Sequence, residues 1–220
     1  MTKSLKLAVI GAIAGVGIYF AMRAKVAPAV QSYLTDISDS ITDNVQAVAN
    51  NITGGFFLRV GNMRTVRAAD LNNANVQAFL KVIRTGEGTT DTNGYRRIFG
   101  GQLFSSFADH PRVTVKKSGY TSSAAGAYQF IASTWDETKR IMGLTDFSPS
   151  SQDLAALGRI VARGALDDVK NGNFELAVKK CAREWASLPF SPYGQPTITI
   201  AKATSTYINS GGTINEGFTV

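Results

Sequence analysis

One acidic side chain stands apart by its setting. Glu87 lies between Gly86 and Gly88, with Thr85 and Thr89 beyond them, in the stretch FLKVIRTGEGTT. The residues before it read as a helix that ends there. A carboxylate at a helix C-terminus faces the negative end of the macrodipole, which disfavours its ionisation. Apolar surroundings act in the same direction, and a carboxyl that keeps its proton near neutral pH is what a general acid requires. An ordinary surface glutamate at a turn is the alternative that the local residues leave open. A reaction needing two carboxylates would draw on Asp91, four residues on, or on Asp109 in ADHP. Asp91 sits in TTDTNG, which favours a turn, and Asp109 with His110 and Pro111 suits the ordering of a loop.

The rest of the inventory excludes more than it offers. The chain has one Cys and one His, so an internal disulfide and a Cys/His zinc cluster are both ruled out. No metal or cofactor is expected. Cys181 and His110 are a nucleophile and a base by inventory alone, since nothing in the sequence places them together. Cys181, on a predicted helix in AVKKCAREW, reads as a small buried hydrophobe.

The elements that must carry these residues fall into three parts. Leu7 to Met22 is an uncharged apolar run of 16 residues, 7 through 22, flanked by Lys3 and Lys6 before and Arg23 and Lys25 after. A spanning helix needs about 20 residues, and flanking Lys and Arg extend a shorter one by snorkelling. Residues 1–27 are accordingly read as a membrane anchor or signal anchor, and the charge balance places the amino terminus inside. A cleaved signal peptide ending near Ala27-Pro28-Ala29 and, last, a buried helix of a soluble fold are the alternatives. Gly11 and Gly15 form a GxxxG pair, one route to self-association through the N-terminal helices. Residues 28–72 form the second part. Val30, Leu34, Ile37, Ile41, Val45, Val48 and Ile52 make an apolar stripe at helical spacing, opposite a polar face with Asp36, Asp39 and Asp43. That is an amphipathic stalk helix, followed from Gly54 by a linker. Residues 73–220 read as a compact mixed domain. Helices are expected at 74–86, 130–142, 150–169, 173–187 and 195–210, with short strands at Arg112–Val115 and just after Gly119. The fold class is α+β and mainly helical.

Together with Glu87, the segments GGQLFSSFADHPR, SAAGAYQFIASTWDE, GLTDFSPSSQD and CAREWASLPFSPYGQP resemble the lambda-type phage endolysins, small enzymes of the lysozyme superfamily. Motif order and spacing hold from about Val76 to Glu216. Residues 1–72 lie outside the resemblance, and the interval from Glu87 to Gly94-Tyr95 is shorter than the family's. The resemblance implies a lysozyme-like fold and a lytic transglycosylase. Such an enzyme cleaves the β-1,4 bond between N-acetylmuramic acid and N-acetylglucosamine in peptidoglycan and leaves a 1,6-anhydro end. The family's catalytic glutamate falls on Glu87. GAYQF resembles the family's Gly-x-x-Gln cleft element, which makes Gly126, Tyr128 and Gln129 expected substrate contacts. YGQ adds Tyr193 and Gln195, and Asp109 is placed beside the cleft. Phe130, Trp135 and Trp185 are expected in the core, Trp185 with some chance of flanking the cleft.

A transglycosylase needs one carboxylate, whereas most glycosidases need two. A hydrolytic muramidase and a non-catalytic, membrane-anchored wall-binding protein are the competing readings. The expected partners are peptidoglycan, and a membrane through residues 7–22. The site of action would be the host inner membrane with the catalytic domain in the periplasm, or the membrane of a virion, in lysis or in entry. Nucleic acid is not expected. The 23 Lys and Arg against 16 Asp and Glu give +7, but the basic residues are scattered and no nucleic-acid reader motif is present.

Overall fold

The computed structural model describes residues 62–117 and 119–215, all within one compact unit. The apolar run at 7–22, the GxxxG pair and the stalk stripe lie outside the described residues. Among the described residues, no helix is long and apolar enough to cross a membrane.

Among the described residues, six α-helices surround the main core: α1 (Ala74–Gly86), α2 (Ala132–Met142), α3 (Pro149–Ala162), α4 (Leu166–Asn171), α5 (Phe174–Cys181) and α6 (Ile200–Asn209). A two-stranded antiparallel hairpin, β1 (Val115–Lys117) and β2 (Tyr120–Ser122), pairs Val115 with Ser122 and Lys117 with Tyr120. The mainly helical α+β class expected from the sequence is what forms.

Each helix begins where its chemistry allows. Asn73 caps α1 by accepting from the Val76 N–H at 3.1 Å, and Thr199 caps α6 through the Lys202 N–H at the same distance. Ser148 precedes α3, with Pro149 in the first turn, where a missing N–H costs nothing. The buried residues of α1 include Val76, Phe79, Leu80 and Ile83, a helical stripe, and the next position on that face is Glu87. α3 is buried from Ala155 to Ala162. Small residues let its neighbours approach: a Cβ added to Gly158 would stand 2.4 Å from Met142 Sδ. Trp135 is fully buried and meets Phe147 edge-on at 4.6 Å, and Phe174 packs on Tyr207 at 4.5 Å.

Several boundaries differ from the sequence expectation, each for a physical reason. The helix expected at 150–169 is two helices, because Gly164 turns the chain at φ 65°. The helix expected at 130–142 starts at Ala132, since Gln129 has φ 48° and Phe130 pairs with Ala125 in a bridge. The one expected at 173–187 ends at Cys181, after which the Trp185 indole N–H donates to Tyr128 O at 3.2 Å. The last helix begins at Ile200 and not at 195, just past Pro196. The strand expected at Arg112–Val115 starts at Val115. Arg112 has φ 55°, and Asp136 and Asp109 hold its guanidinium instead. Residues 62–72, read as the end of a linker, form two short 3-10 turns packed on the domain. Met63 is fully buried, the Arg64 Nε donates to Ile141 O, and Lys170 pairs with Asp70 at 2.6 Å.

Candidate active site

The end of α1 delivers Glu87 into a cavity of about 540 Å³. Glu87 keeps its helical position through its N–H, which donates to Ile83 O at 2.9 Å, so its side chain stays on the buried face of α1. Both flanking glycines are required. A Cβ at Gly86 would stand 2.5 Å from Ser187 Oγ, and Gly88 turns the chain out of the helix at φ 68°. Arg84 then clamps the turn, donating from Nε and Nη2 to Thr89 O at 3.3 and 2.9 Å, while the Thr89 hydroxyl donates to Ala127 O at 2.5 Å.

Ser187 lies 100 residues from Glu87 in sequence, and its hydroxyl donates to Glu87 Oε1 at 2.7 Å. Among the described residues, Oε2 has no such bond. Burial pushes the carboxyl from its ordinary value of 4.5 up to about 7, against the opposing donation from Ser187. Glu87 is therefore an acid poised to exchange a proton at neutral pH.

The cavity walls come from three places. Tyr120, Thr121 and Ser122 of the hairpin form one side, Tyr128 to Ile131 the floor, and 184–187 with Gln195 and Pro196 the other side. A buried network holds the floor. The hydroxyls of Tyr128 and Tyr95 both donate to Asp153 Oδ1, at 2.6 and 2.8 Å. Fully buried Gln152 accepts from the Ala127 N–H at 2.8 Å and donates to Tyr95 O and Phe147 O. Burial raises the carboxyl of Asp153 against the donation of both tyrosines.

The residues expected from the sequence separate into two groups. Glu87, Tyr128, Gln129 and Gln195 line the cavity, while Gly126, Tyr193 and Asp109 do not. Both amide protons of Gln129 go to Gly126 O and Arg97 O, which leaves its Oε1 for a ligand. Gly126 is buried at φ 80°, and a Cβ there would stand 2.3 Å from Gln152 Oε1, so its place is in shaping the floor. Tyr193 is exposed and its hydroxyl donates to Arg183 O at 2.9 Å. Asp109 accepts from the Trp135 indole at 2.9 Å, from Lys139 at 3.1 Å and from Arg112 at 3.2 Å. Burial acts to raise its carboxyl, but these donors and the His110 backbone hold it well below the usual range. Phe130 and Trp185 are buried, as expected of core residues, yet both also line the cavity.

The remaining chemistry-bearing residues are accounted for structurally. Asp91 accepts from the Asn93 N–H at 2.8 Å, a turn bond, and pairs with Arg97. His110 uses both nitrogens: Nδ1 accepts from the Arg112 N–H at 3.0 Å and Nε2 donates to Phe130 O at 2.8 Å. Burial lowers its proton affinity, which suits that neutral tautomer. Cys181 is fully buried, and burial pushes its thiol far up.

Several cavity residues went unforeseen, and two of them bear on the acid chemistry. Ser187 belongs to WASLP, but only folding brings it to Glu87. Glu184 also lines the cavity, and it is bound by Arg159 Nε at 2.7 Å and by Arg163 Nη2 at 2.6 Å, with its side chain 8% exposed. Arg159 is shared with Glu137 at 2.7 Å.

The geometry can be set beside known proteins. A family model described as Endolysin matches residues 77–214. The endolysin of Escherichia phage lambda is 38% identical over 154 residues, which cover 67% of this chain and 97% of that protein. The endolysin of Escherichia phage P2 is 35% identical over 154 residues, covering 63% of this chain and 93% of its own length. Among solved structures, bacteriophage lambda lysozyme complexed with a chitohexasaccharide aligns with a TM-score of 0.62 at 38% identity. That alignment covers 65% of this chain and 97% of the other. A second structure of the lambda lysozyme aligns with a TM-score of 0.58. The fold is lysozyme-like, and this chain belongs to the endolysin family, whose members degrade peptidoglycan.

Proposed function

We propose that the chain is a lytic transglycosylase that cleaves the β-1,4 bond between N-acetylmuramic acid and N-acetylglucosamine with Glu87 as its single acid and base. One observation carries this reading. Among the described residues two carboxylates line the cavity, and only Glu87 is free for proton transfer, because Glu184 is committed to Arg159 and Arg163. A hydrolase of the usual kind needs a second carboxylate to activate water or to attack the sugar. The saccharide in the lambda lysozyme complex supports a sugar chain as the occupant of this cleft.

The proposed steps use the carboxyl oxygen of Glu87 that Ser187 leaves free. Ser187 occupies Oε1, so Oε2 carries the proton. Oε2 gives it to the glycosidic oxygen as the bond from that oxygen to the anomeric carbon breaks. The 6-hydroxyl oxygen of the same muramic acid attacks the anomeric carbon, and its proton returns to Glu87. The nucleophile belongs to the substrate, so it needs no bound water and acts at a high effective concentration. The sugar's N-acetyl group stabilises the charge that develops in between.

Mass spectrometry of the products tests this reading. An anhydro end is lighter by one water than a reducing end. Reducing ends alone would make the enzyme a hydrolytic muramidase. Clearing of peptidoglycan by Glu87→Gln at the wild-type rate would remove Glu87 from the chemistry altogether.

We also read residues 7–22 as a tether that holds the enzyme at the outer side of the host inner membrane until lysis. Their apolar run with Lys and Arg at both ends supports this. Fractionation checks it: the chain should sediment with membranes, and replacing Gly11 and Gly15 by Leu should strengthen that association.

A further inference from the structure

The chain between the cavity segments 184–187 and 195–196 forms a loop closed at its base, where the Ile198 N–H donates to Ser187 O at 2.9 Å. Loops with joined ends and their own packing are compact and often functional. Leu188 plugs this one into the core, fully buried, and Tyr193 ties it to the segment after α5 through the Arg183 carbonyl. At its head stands Phe190, in left-handed backbone at φ 67° and 50% exposed. A bulky side chain there is strained, and an exposed ring gains little from burial, so the fold holds an unfavourable residue in an unfavourable conformation. Lys179 Nζ lies 5.3 Å from the ring centroid and is itself held by Glu175 at 2.8 Å, which orients the ring. Beside it, Lys180 is paired with Asp168, whereas exposed Arg183 has no ion-pair or hydrogen-bond partner for its guanidinium among the described residues.

We propose that Phe190 and Arg183 form a second contact for the peptidoglycan strand at the rim of the cleft. The ring stacks on a pyranose face, whose C–H groups suit an aromatic surface. The guanidinium pairs with a carboxylate of a stem peptide. Two features point to this occupant. The loop begins and ends at residues that line the cleft, so a strand leaving the cavity runs past it. The free cation complements a polymer whose peptides carry carboxylates. The inference rests on reading the chain as an enzyme of peptidoglycan.

The test uses the full-length chain carrying Glu87→Gln, so that substrate is bound and not consumed. Co-sedimentation with purified sacculi gives an apparent Kd. Phe190→Gly should raise that Kd roughly five- to tenfold. Its thermal midpoint should be unchanged or higher by up to about 3 °C, because glycine accepts this φ without strain. A mere packing role would lower the midpoint instead. Arg183→Gln should weaken binding and flatten its dependence on salt. Kd values within twofold of the parent for both variants overturn the inference and leave Glu87 untouched. Loss of binding to anionic vesicles with sacculus binding intact overturns it in favour of a lipid surface. If the parent does not bind sacculi and wild type does not digest them, the functional reading falls and this inference with it.

Discussion

Replacing Glu87 by Gln should make the protein more stable while abolishing its activity, and the gain should depend on pH in a way that identifies the carboxyl. The amide keeps the shape of the side chain and still accepts from Ser187 through its oxygen. It removes only the cost of holding an ionised carboxylate in a half-buried, largely apolar wall. The carboxyl has its ordinary value of 4.5 when the chain is unfolded and is pushed up to about 7 by burial in the fold. The stability it contributes is fully present below 4.5 and is lost as pH rises through about 7. The gap of about 2.5 corresponds to roughly 3 kcal/mol at pH 8. At pH 4 both states hold the proton and the substitution gains almost nothing. For a domain of this size about 3 kcal/mol is a rise of about 6–12 °C in thermal midpoint. The assay is thermal unfolding of both proteins at pH 4, 6 and 8. A difference between them that is the same at pH 4 and pH 8 would refute the reasoning, because the carboxyl would then carry no raised proton affinity.

Three further substitutions test other parts of the site. Ser187→Ala removes the donor that favours ionised Glu87, so the alkaline limb of the pH–rate profile should move up by about one pH unit, as a donor to a charge is partly replaced by water; an unmoved limb would mean that Ser187 does not tune the acid. Glu184→Gln leaves Arg159 and Arg163 short of a counter-charge and should cost about 3 kcal/mol of stability by denaturant unfolding, with anhydro products retained; loss of turnover at unchanged stability would make Glu184 a base. Asp109→Asn should cost about 1 kcal/mol, reduced because this carboxylate is 40% exposed, and should leave KM for peptidoglycan unchanged. The Asp109 contribution is present above its ordinary value of 3.8 and is lost as pH falls, since its carboxyl is held low.

Glu87 was legible only in part from its neighbours, which left an ordinary turn glutamate open, and the resemblance to the endolysins singled it out. In the structure the buried stripe Val76, Phe79, Leu80, Ile83 continues to it, and Gly86 before it lets Ser187 come close. Tyr128, Gln129 and Gln195 were legible through motifs that resemble a family. Gly126 and Tyr193 came from the same motifs, yet the structure gives Gly126 a place beneath the cleft floor and Tyr193 a place outside the cavity, because a motif preserves spacing in sequence and not the direction of each side chain. Asp109 shows the same limit: its polar neighbours in sequence say nothing of Trp135 and Lys139, which α2 brings to it. The helix ends were the least legible, since Gly164, Gln129 and Trp185 act through a positive φ or a tertiary hydrogen bond and not through periodicity.

Apolar spacing and local turn chemistry were enough to specify a helical domain, because they depend on residues close together in the chain, and the single Cys and single His excluded a disulfide or a zinc cluster by count; the candidate acid needed the family resemblance as well. Tertiary folding alone set the protonation behaviour of the site. It brings Ser187 across 100 residues to Glu87, turns Glu184 into the partner of two arginines, and holds Phe190 in left-handed backbone on the loop that closes beside the cleft. Proton affinity depends on burial and on donors from distant segments, and those exist only once the chain has closed around the acid.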